Sequence, residues 1–229
     1  MTEKITINSL KKMKEIGEKI ACLTSYDSSF AKLQDDAGVD MLLVGDSLGM
    51  VLQGADNTLR VKMSDMIYHS RIVSDVVKRA IIISDMPFMS YSTPRQALGN
   101  AARLIAEGGA QVVKIEGGQE LFETVRLITE NGIPVCGHLG LTPQSVNNLG
   151  YRKQAENKIE QDKLIRQAIE LENKAAQSMM FRDFRDTEYN RIIDDRRTFK
   201  ILNTIIPKHF YLQWVGRTRS TGTEAVGYL

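Results

Sequence analysis

The sequence predicts an α/β protein of the (β/α)8 (TIM) barrel class, with a barrel that is incomplete at its C-terminal end. Short apolar runs alternate with helical segments of ten or more residues, a pattern typical of βαβ units and a parallel sheet. Five such units follow one another without a reversal, which favours a barrel but leaves a doubly wound sheet open. After about residue 178 the alternation fades.

Apolar periodicity and capping residues define the individual elements. Ser9 can cap a short first helix, and the Thr93-Pro94 pair starts a later one, because proline suits the first helical turn. Glycines such as Gly38 and Gly132 end helices. The predicted strands are residues 20–24, 41–45, 80–84, 111–115 and 134–137, with a sixth at 178–181; the main predicted helices are residues 30–36, 64–78, 94–107, 120–130 and 161–174.

Length and composition exclude several classes of function. A chain of 229 residues can bury one sizeable core, and a net charge of +2 argues neither for nor against an acidic partner. The arginines form no stripe with interleaved aromatics, so no nucleic-acid partner is expected. No apolar run reaches the roughly 20 residues that cross a bilayer, so no membrane association is expected either. Cys22 and Cys136 lie in apolar runs without a disulfide pattern, which suits a reducing cytoplasm.

Four successive predicted strands each lead into an ionisable residue. These residues are Asp46, Asp85, Glu116 and His138. Because the carboxyl ends of parallel strands meet on one face of a barrel, we expect the four side chains to lie together there. Three converging carboxylates repel one another and need a cation, and Mg²⁺ is the hard divalent ion that prefers oxygen ligands. The pattern therefore indicates a metal-assisted enzyme.

The fourth strand carries a lysine inside an apolar run. Side chains alternate along a strand, so Lys114 and Glu116 share one face while Val113 and Ile115 share the other. In a barrel the apolar pair faces the helices and the charged pair faces the axis. From this segment alone, a structural ion pair and a ligand-binding role are equally open.

Structural interpretations of the other residues also stay open. Asp46 could cap a following helix, or the turn Ser47-Leu48-Gly49 could hold a carboxylate through exposed N–H groups. Capping explains Asp85 poorly, because Met86-Pro87 follows it. His138 is by default a core or capping residue, and His69 is interpreted as structural.

Four segments resemble the ketopantoate hydroxymethyltransferase family nearly letter for letter, and the resemblance runs from about Ile7 to about Gln177. The most specific segment spans residues 135–147. The four segments are Asp46-Ser47-Leu48-Gly49-Met50, Asp85-Met86-Pro87-Phe88-Met89, Val113-Lys114-Ile115-Glu116-Gly117-Gly118 and Val135-Cys136-Gly137-His138-Leu139-Gly140-Leu141-Thr142-Pro143-Gln144-Ser145-Val146-Asn147.

The resemblance implies a (β/α)8 barrel, a homodecamer and the first committed step of pantothenate synthesis, although we do not extend the decamer to this chain. It implies that Asp46, Asp85 and Glu116 form a Mg²⁺ site, with Asp46 and Asp85 the more direct ligands. Together with Asp46 and Asp85, Ser47 and Lys114 resemble residues that hold the 2-oxo acid. The implied reaction adds the one-carbon unit of 5,10-methylenetetrahydrofolate to the enolate of 3-methyl-2-oxobutanoate.

The chain departs from the family in its sixth strand. The family's general base is a glutamate, and its position here is Arg182, whose guanidinium cannot accept a proton. No catalytic residue is therefore assigned, and His138 is a weak substitute. We expect a barrel domain over residues 1–178 and a divergent segment over 179–229 that is not a domain of its own.

Composition changes in the same region. No glycine lies between positions 151 and 215, and seven of the 15 arginines lie between Arg182 and Arg219. These changes indicate that residues from about Met179 onward are encoded out of the ancestral reading frame.

The sequence leaves three interpretations of the chain. It carries out the hydroxymethyltransferase reaction, it is a catalytically inactive descendant, or, less favoured, it is another Mg²⁺-dependent barrel enzyme on 2-oxo acids such as a lyase.

Overall fold

The computed structural model describes residues 3–150 and 155–176, which contain one parallel β-sheet flanked by helices. Five strands pair in sequential order, β1-β2-β3-β4-β5, with every neighbouring pair parallel. The strands are β1 (Cys22–Thr24), β2 (Met41–Val44), β3 (Ile81–Asp85), β4 (Val112–Glu116) and β5 (Val135–His138). This arrangement confirms the predicted α/β class, because sequential parallel strands with intervening helices are the repeating unit of the barrel.

Helices occupy most of the connections between the strands. The α-helices are α1 (Ile7–Glu15), α2 (Ser28–Asp36), α3 (Leu48–Val51), α4 (Met63–Ser74), α5 (Pro94–Ala106), α6 (Phe122–Glu130), α7 (Val146–Leu149) and α8 (Lys158–Ala176), and single 3₁₀ turns lie at Gln119–Leu121 and Pro143–Ser145. Thr93 caps α5 as expected, because its side chain accepts a hydrogen bond from the Gln96 N–H. The last helix extends three residues before and two residues beyond the predicted range.

The two faces of the sheet are buried in different environments. Leu42, Ile82, Val113 and Ile115 pack with helix residues in the larger apolar cluster. The opposite face carries a smaller cluster of alternating strand residues closed by Leu10 of α1. Its buried members are Leu10, Met41, Leu43, Ile81, Ile83, Val112 and Cys136. Because side chains alternate along a strand, Asp85, Lys114, Glu116 and His138 lie on the same face of the sheet as this smaller cluster.

Two local expectations are wrong. Thr6, not Ser9, caps α1; the two side chains bond reciprocally to each other's backbone N–H, so Ser9 occupies the third helical position of the capping box. The segment after Asp46 is a short helix rather than an open turn. The N–H groups of Leu48 and Gly49 bond to the carbonyls of Gly45 and Asp46, so they are not exposed to hold a carboxylate.

Several predictions fall outside the described residues. The sixth strand, the base position Arg182, the domain boundary at 178 and the proposed change of reading frame all lie beyond residue 176. Among the helices that the structure describes, none is both long and apolar enough to cross a membrane.

Candidate active site

The sheet brings the predicted site residues to one edge. Asp85 and Glu116 are the last residues of β3 and β4, and Asp46 lies two residues beyond β2. The strand register places Asp85 beside Lys114 and Glu116 beside His138. All five side chains are buried. The parallel pairing thus gathers at one place the acids that follow three separate apolar runs.

Lys114 is the cation at the centre of this cluster. Its Nζ lies 2.8 Å from Asp85 Oδ1 and 3.6 Å from Glu116 Oε1, and only 2% of its side chain is exposed. Burial opposes its charge, but the charges of Asp85, Glu116 and Asp46 together raise its pKa above the ordinary value. Lys114 therefore stays protonated, and both interpretations of it remain: it is an ion-pair partner and it is available to a bound anion.

Two of the acids have pKa values that are shifted in opposite directions. Burial, followed by the negative charges of Asp85 and Glu116, raises the pKa of Asp46 well above its ordinary range. Burial also opposes the charge of Glu116, but His138, Lys114 and the Gln144 N–H lower the pKa of that carboxyl to about 2. The cluster thus holds more acids than one lysine balances, and Asp46 is the acid whose ionisation the cluster disfavours.

Glu116 is held from both sides. Its Oε1 lies 2.7 Å from His138 Nδ1, and its Oε2 accepts the Gln144 N–H at 3.1 Å. Because an ionised carboxylate has no proton to give, His138 Nδ1 carries the hydrogen of this bond. Nε2 is then the nitrogen of a neutral His138 that could accept a proton. Capping does not explain His138, since its side chain bonds to a neighbouring strand.

Asp46 also lacks a capping role. The short helix α3 that follows it begins at Leu48, and its N-cap residue is Ser47, which makes no side-chain capping bond. Instead, the Asp46 N–H donates to Asp85 Oδ2 at 3.0 Å, and Asp46 Oδ2 accepts from Gln144 Nε2 at 2.7 Å. Ser47 is partly exposed at the same edge. The link between Asp46 and Asp85 explains why the two acids stay close despite their like charges.

Sequence reasoning missed Gln144 and Tyr91. Gln144 lies after β5 and is buried. It bonds to Asp46 beyond β2, to Met86 beyond β3 and to Glu116 at the end of β4. The Tyr91 hydroxyl donates to Gln144 Oε1 and lies 3.2 Å from the Glu116 carbonyl. Burial raises the pKa of Tyr91, so it keeps its proton. Gln144 stands in the most specific matching segment, but no spacing rule singles out a lone glutamine.

Asp85 and Glu116 each direct one oxygen at Lys114, whereas Asp46 Oδ2 bonds to Gln144. Within residues 3–150 and 155–176, no group of three or more His, Cys, Asp or Glu side chains is arranged so that it could hold a metal ion. The donor set itself is nevertheless of the kind that Mg²⁺ prefers, with carboxylate oxygens and unbalanced negative charge. The metal site at Asp46, Asp85 and Glu116 stays a prediction.

Residues away from this edge have structural partners. His69 Nδ1 lies 2.7 Å from the Tyr26 carbonyl, in keeping with its structural interpretation. Neither Cys22 nor Cys136 is part of a disulfide, and burial raises the pKa of Cys22 to about 12. A thiol with so high a pKa is a poor nucleophile at neutral pH.

Solved structures with a similar fold come from enzymes of low sequence identity. Phosphonopyruvate hydrolase in complex with oxalate and Mg²⁺ matches with a TM-score of 0.56 at 14% identity, over 76% of this chain and 60% of that one. A 2,3-dimethylmalate lyase of the PEP mutase/isocitrate lyase superfamily matches with a TM-score of 0.53 at 15% identity, over 74% of this chain and 60% of that one. Likeness at this identity shows the fold alone.

Curated relatives share a single name, 3-methyl-2-oxobutanoate hydroxymethyltransferase. The protein from Nitrosococcus oceani is 54% identical over 178 residues, covering 77% of this chain and 67% of the relative. Those from Pseudoalteromonas atlantica and Methylococcus capsulatus are 53% and 55% identical, over 74% and 66% of this chain and 64% and 56% of the relatives. The chain thus spans about two thirds or less of the length of these relatives.

A family model described as ketopantoate hydroxymethyltransferase matches residues 4–193. That range contains the whole buried cluster, and it agrees with the identity of about half of the aligned positions to the named relatives. The resemblance drawn from the four sequence segments is therefore confirmed, and the chain belongs to the ketopantoate hydroxymethyltransferase family.

Proposed function

We propose that this chain transfers a hydroxymethyl group from 5,10-methylenetetrahydrofolate to 3-methyl-2-oxobutanoate to form ketopantoate in pantothenate biosynthesis. The observation that supports this most is the buried cluster of Asp46, Asp85, Glu116 and Lys114 at the strand ends of a chain of this family. A buried site with three carboxyl groups and one protonated lysine has the charge to bind a divalent cation together with an anionic substrate.

The acids are the candidates for holding Mg²⁺. By resemblance, Asp46 and Asp85 would be the more direct ligands. Glu116 and Asp85 each have both carboxylate oxygens in contacts already. Carboxylate oxygens have two lone pairs each, so an oxygen that accepts one hydrogen bond can still bind a cation. Asp85 would have to turn at least one oxygen away from Lys114. When bound, Mg²⁺ supplies Lewis-acid stabilisation of the charge that develops on the keto oxygen as the C3 proton leaves.

Lys114 and Ser47 are the candidates for binding the 2-oxo acid. The Lys114 ammonium is buried, charged and fixed by Asp85, so it would meet the substrate carboxylate without reorganising. Ser47 offers a partly exposed hydroxyl on the neighbouring loop. Burial at this edge keeps water away and strengthens each of these electrostatic contacts.

The proton acceptor is the open part of this proposal. The family position of the base is Arg182, which lies outside the described residues. Among the described residues, His138 is the candidate, because Glu116 fixes its Nδ1 and leaves Nε2 to accept a proton. The histidine would then act beside the acid cluster rather than from the sixth strand.

Isotope exchange tests the proposal independently of the folate substrate. The C3 proton of 3-methyl-2-oxobutanoate should exchange with deuterium in D₂O when the chain and Mg²⁺ are both present, as followed by proton NMR. Exchange should stop when EDTA replaces Mg²⁺. If the chain binds the keto acid but never accelerates the exchange, the inactive alternative is correct for this chain. If it neither binds nor exchanges, the assigned site is wrong.

A further inference from the structure

Gln144 bonds to two acids of the cluster and to the backbone beyond β3. Its backbone N–H donates to Glu116 Oε2 at 3.1 Å, and its Nε2 donates to Asp46 Oδ2 at 2.7 Å and to the Met86 carbonyl at 2.9 Å. Only 5% of Gln144 is exposed. One residue after β5 therefore fixes carboxylates that come from two other strands.

The orientation of this amide is determined by its neighbours. The Tyr91 hydroxyl donates to Oε1, and the two amide hydrogens are accepted by Asp46 and Met86. A flipped amide would set Oε1 against a carboxylate and a carbonyl, which are both acceptors. Every hydrogen-bonding group of the amide is thus satisfied, and a satisfied buried network is rigid.

The amide also selects which oxygen of Asp46 is held. Gln144 Nε2 donates to Oδ2 of Asp46 at 2.7 Å. The same contact limits the rotation of the Asp46 carboxyl, while the Gln144 backbone limits the rotation of Glu116. Gln144 thereby sets the directions of two of the three acids.

We infer that Gln144, held in place by Tyr91, is a positioning residue that sets the divalent-cation affinity of the acid cluster. This inference rests on the proposed function, because it assumes that the cluster binds a cation. Residues that orient the ligands of an ion change its affinity about 10- to 100-fold when they are removed. Gln144 is not itself assigned as a ligand of the ion, because its Nε2 donates to Asp46 and Met86 and its Oε1 faces the Tyr91 hydroxyl.

Mn²⁺ is a suitable probe, because the EPR signal of the free ion measures its binding directly. Gln144→Leu introduces an apolar side chain of similar size and removes the three amide contacts, to Asp46, Met86 and Tyr91. We expect it to weaken Mn²⁺ binding by on the order of tenfold or more. Tyr91→Phe deletes only the hydroxyl that holds Oε1, so it should weaken binding in the same direction by less, and it serves if Gln144→Leu does not fold.

Gln111→Leu is the matched control. Gln111 is also a partly buried glutamine with a doubly bonded amide, to the Ile82 N–H at 2.8 Å and the Gly109 carbonyl at 2.6 Å, but these contacts lie where β3 and β4 begin. We expect it to lower the urea midpoint while leaving Mn²⁺ affinity unchanged. A merely structural role for Gln144 would give the same pattern as this control.

The outcomes separate this inference from the proposed function. Weaker Mn²⁺ binding in Gln144→Leu and Tyr91→Phe, with Gln111→Leu like the unaltered chain, supports the positioning role. If both site variants bind Mn²⁺ as the unaltered chain does, or if Gln111→Leu weakens binding equally, the positioning role is wrong and the cation site stands. If the unaltered chain binds no Mn²⁺, the cation site and the inference fail together.

Discussion

At the scale of single residues, the cluster is built for a ligand more than for stability. Three buried acids surround one lysine, and the pKa of Asp46 rises because burial and two neighbouring charges disfavour its ionisation. A cluster kept only for structure would be expected to balance its charges, because an uncompensated buried charge is costly. The imbalance is the feature that a divalent cation would correct.

Replacing Asp46 should therefore reveal opposite effects on stability and on binding. Asp46→Asn keeps the shape and an acceptor for Gln144 but removes the charge that Asp85 and Glu116 repel. Without Mg²⁺ we expect the free energy of unfolding at pH 7 to rise by on the order of 1 kcal/mol, the usual size of a single-substitution effect. Urea denaturation measures it.

The same series contains its own control. Saturating Mg²⁺ should raise the urea midpoint of the unaltered chain, because it binds the folded state, and should have no effect on Asp46→Asn. A variant that is less stable than the unaltered chain without Mg²⁺ would show that the Asp46 carboxylate is a net stabilising partner, contrary to this account.

His138 permits a separate prediction about the proton acceptor. His138→Gln retains a hydrogen-bond donor for Glu116 but loses the basic nitrogen. We expect deuterium exchange at C3 of 3-methyl-2-oxobutanoate to fall about 100-fold or more, in line with the usual contribution of a general base. Binding of the keto acid should change little. Exchange at the original rate would exclude His138 and direct the search beyond the described residues.

At the scale of elements, the strands could be predicted and the polar network could not. Each strand is a short apolar run, so its place along the chain was predicted to within two residues. The helix α3 was missed because one turn is too short to show a period. Gln144 was missed because its partners, Asp46 and Met86, are 98 and 58 residues away, and only the fold brings them together. Asp85 and Glu116 could be predicted because both end strands of a parallel sheet, and the carboxyl ends of such strands lie at one edge.

Another buried acid joins elements at the opposite edge of the sheet. Asp35 at the end of α2 accepts N–H groups of Lys78, Arg79 and Ala80 just before β3. Asp35→Ala should lower the free energy of unfolding at pH 7 by about 2–4 kcal/mol, because it leaves buried donors without acceptors. Asp36→Ala, at the adjacent exposed position paired with Lys32, should cost about 0.5 kcal/mol or less.

The effect of Asp35 should depend on pH in a defined direction. Burial opposes its charge, but the three N–H groups and Arg79 hold its pKa below the ordinary value of 3.8. A lowered native pKa gives stability that is complete above pH 3.8 and is lost as the pH falls toward the native pKa. The difference in the free energy of unfolding between the unaltered chain and Asp35→Ala should become smaller over that pH range, as measured by urea titrations. A gap that is constant down to pH 2 would show that the contact is not ionic.

At the scale of the whole molecule, the described part holds five strands of a fold that has eight. We propose that residues 1–178 form the barrel part and that residues from about 179 are encoded out of the ancestral frame. Arg182 and the absence of glycine from 151 to 215 motivate this proposal. Translation of the neighbouring frame should restore a strand that ends in glutamate and a following glycine-rich strand. If it restores neither, the tail is a genuine divergent sequence.

The central claim is that the acid cluster is a Mg²⁺-dependent site for a 2-oxo acid, and calorimetric titration with 3-methyl-2-oxobutanoate tests it most directly. We expect binding with Mg²⁺, none with EDTA in its place, and none in Asp85→Ala even with Mg²⁺, because that variant loses a proposed ligand and the partner of Lys114. Asp36→Ala should bind as the unaltered chain does. Equal binding with Mg²⁺ and with EDTA, or undiminished binding in Asp85→Ala, would contradict the account.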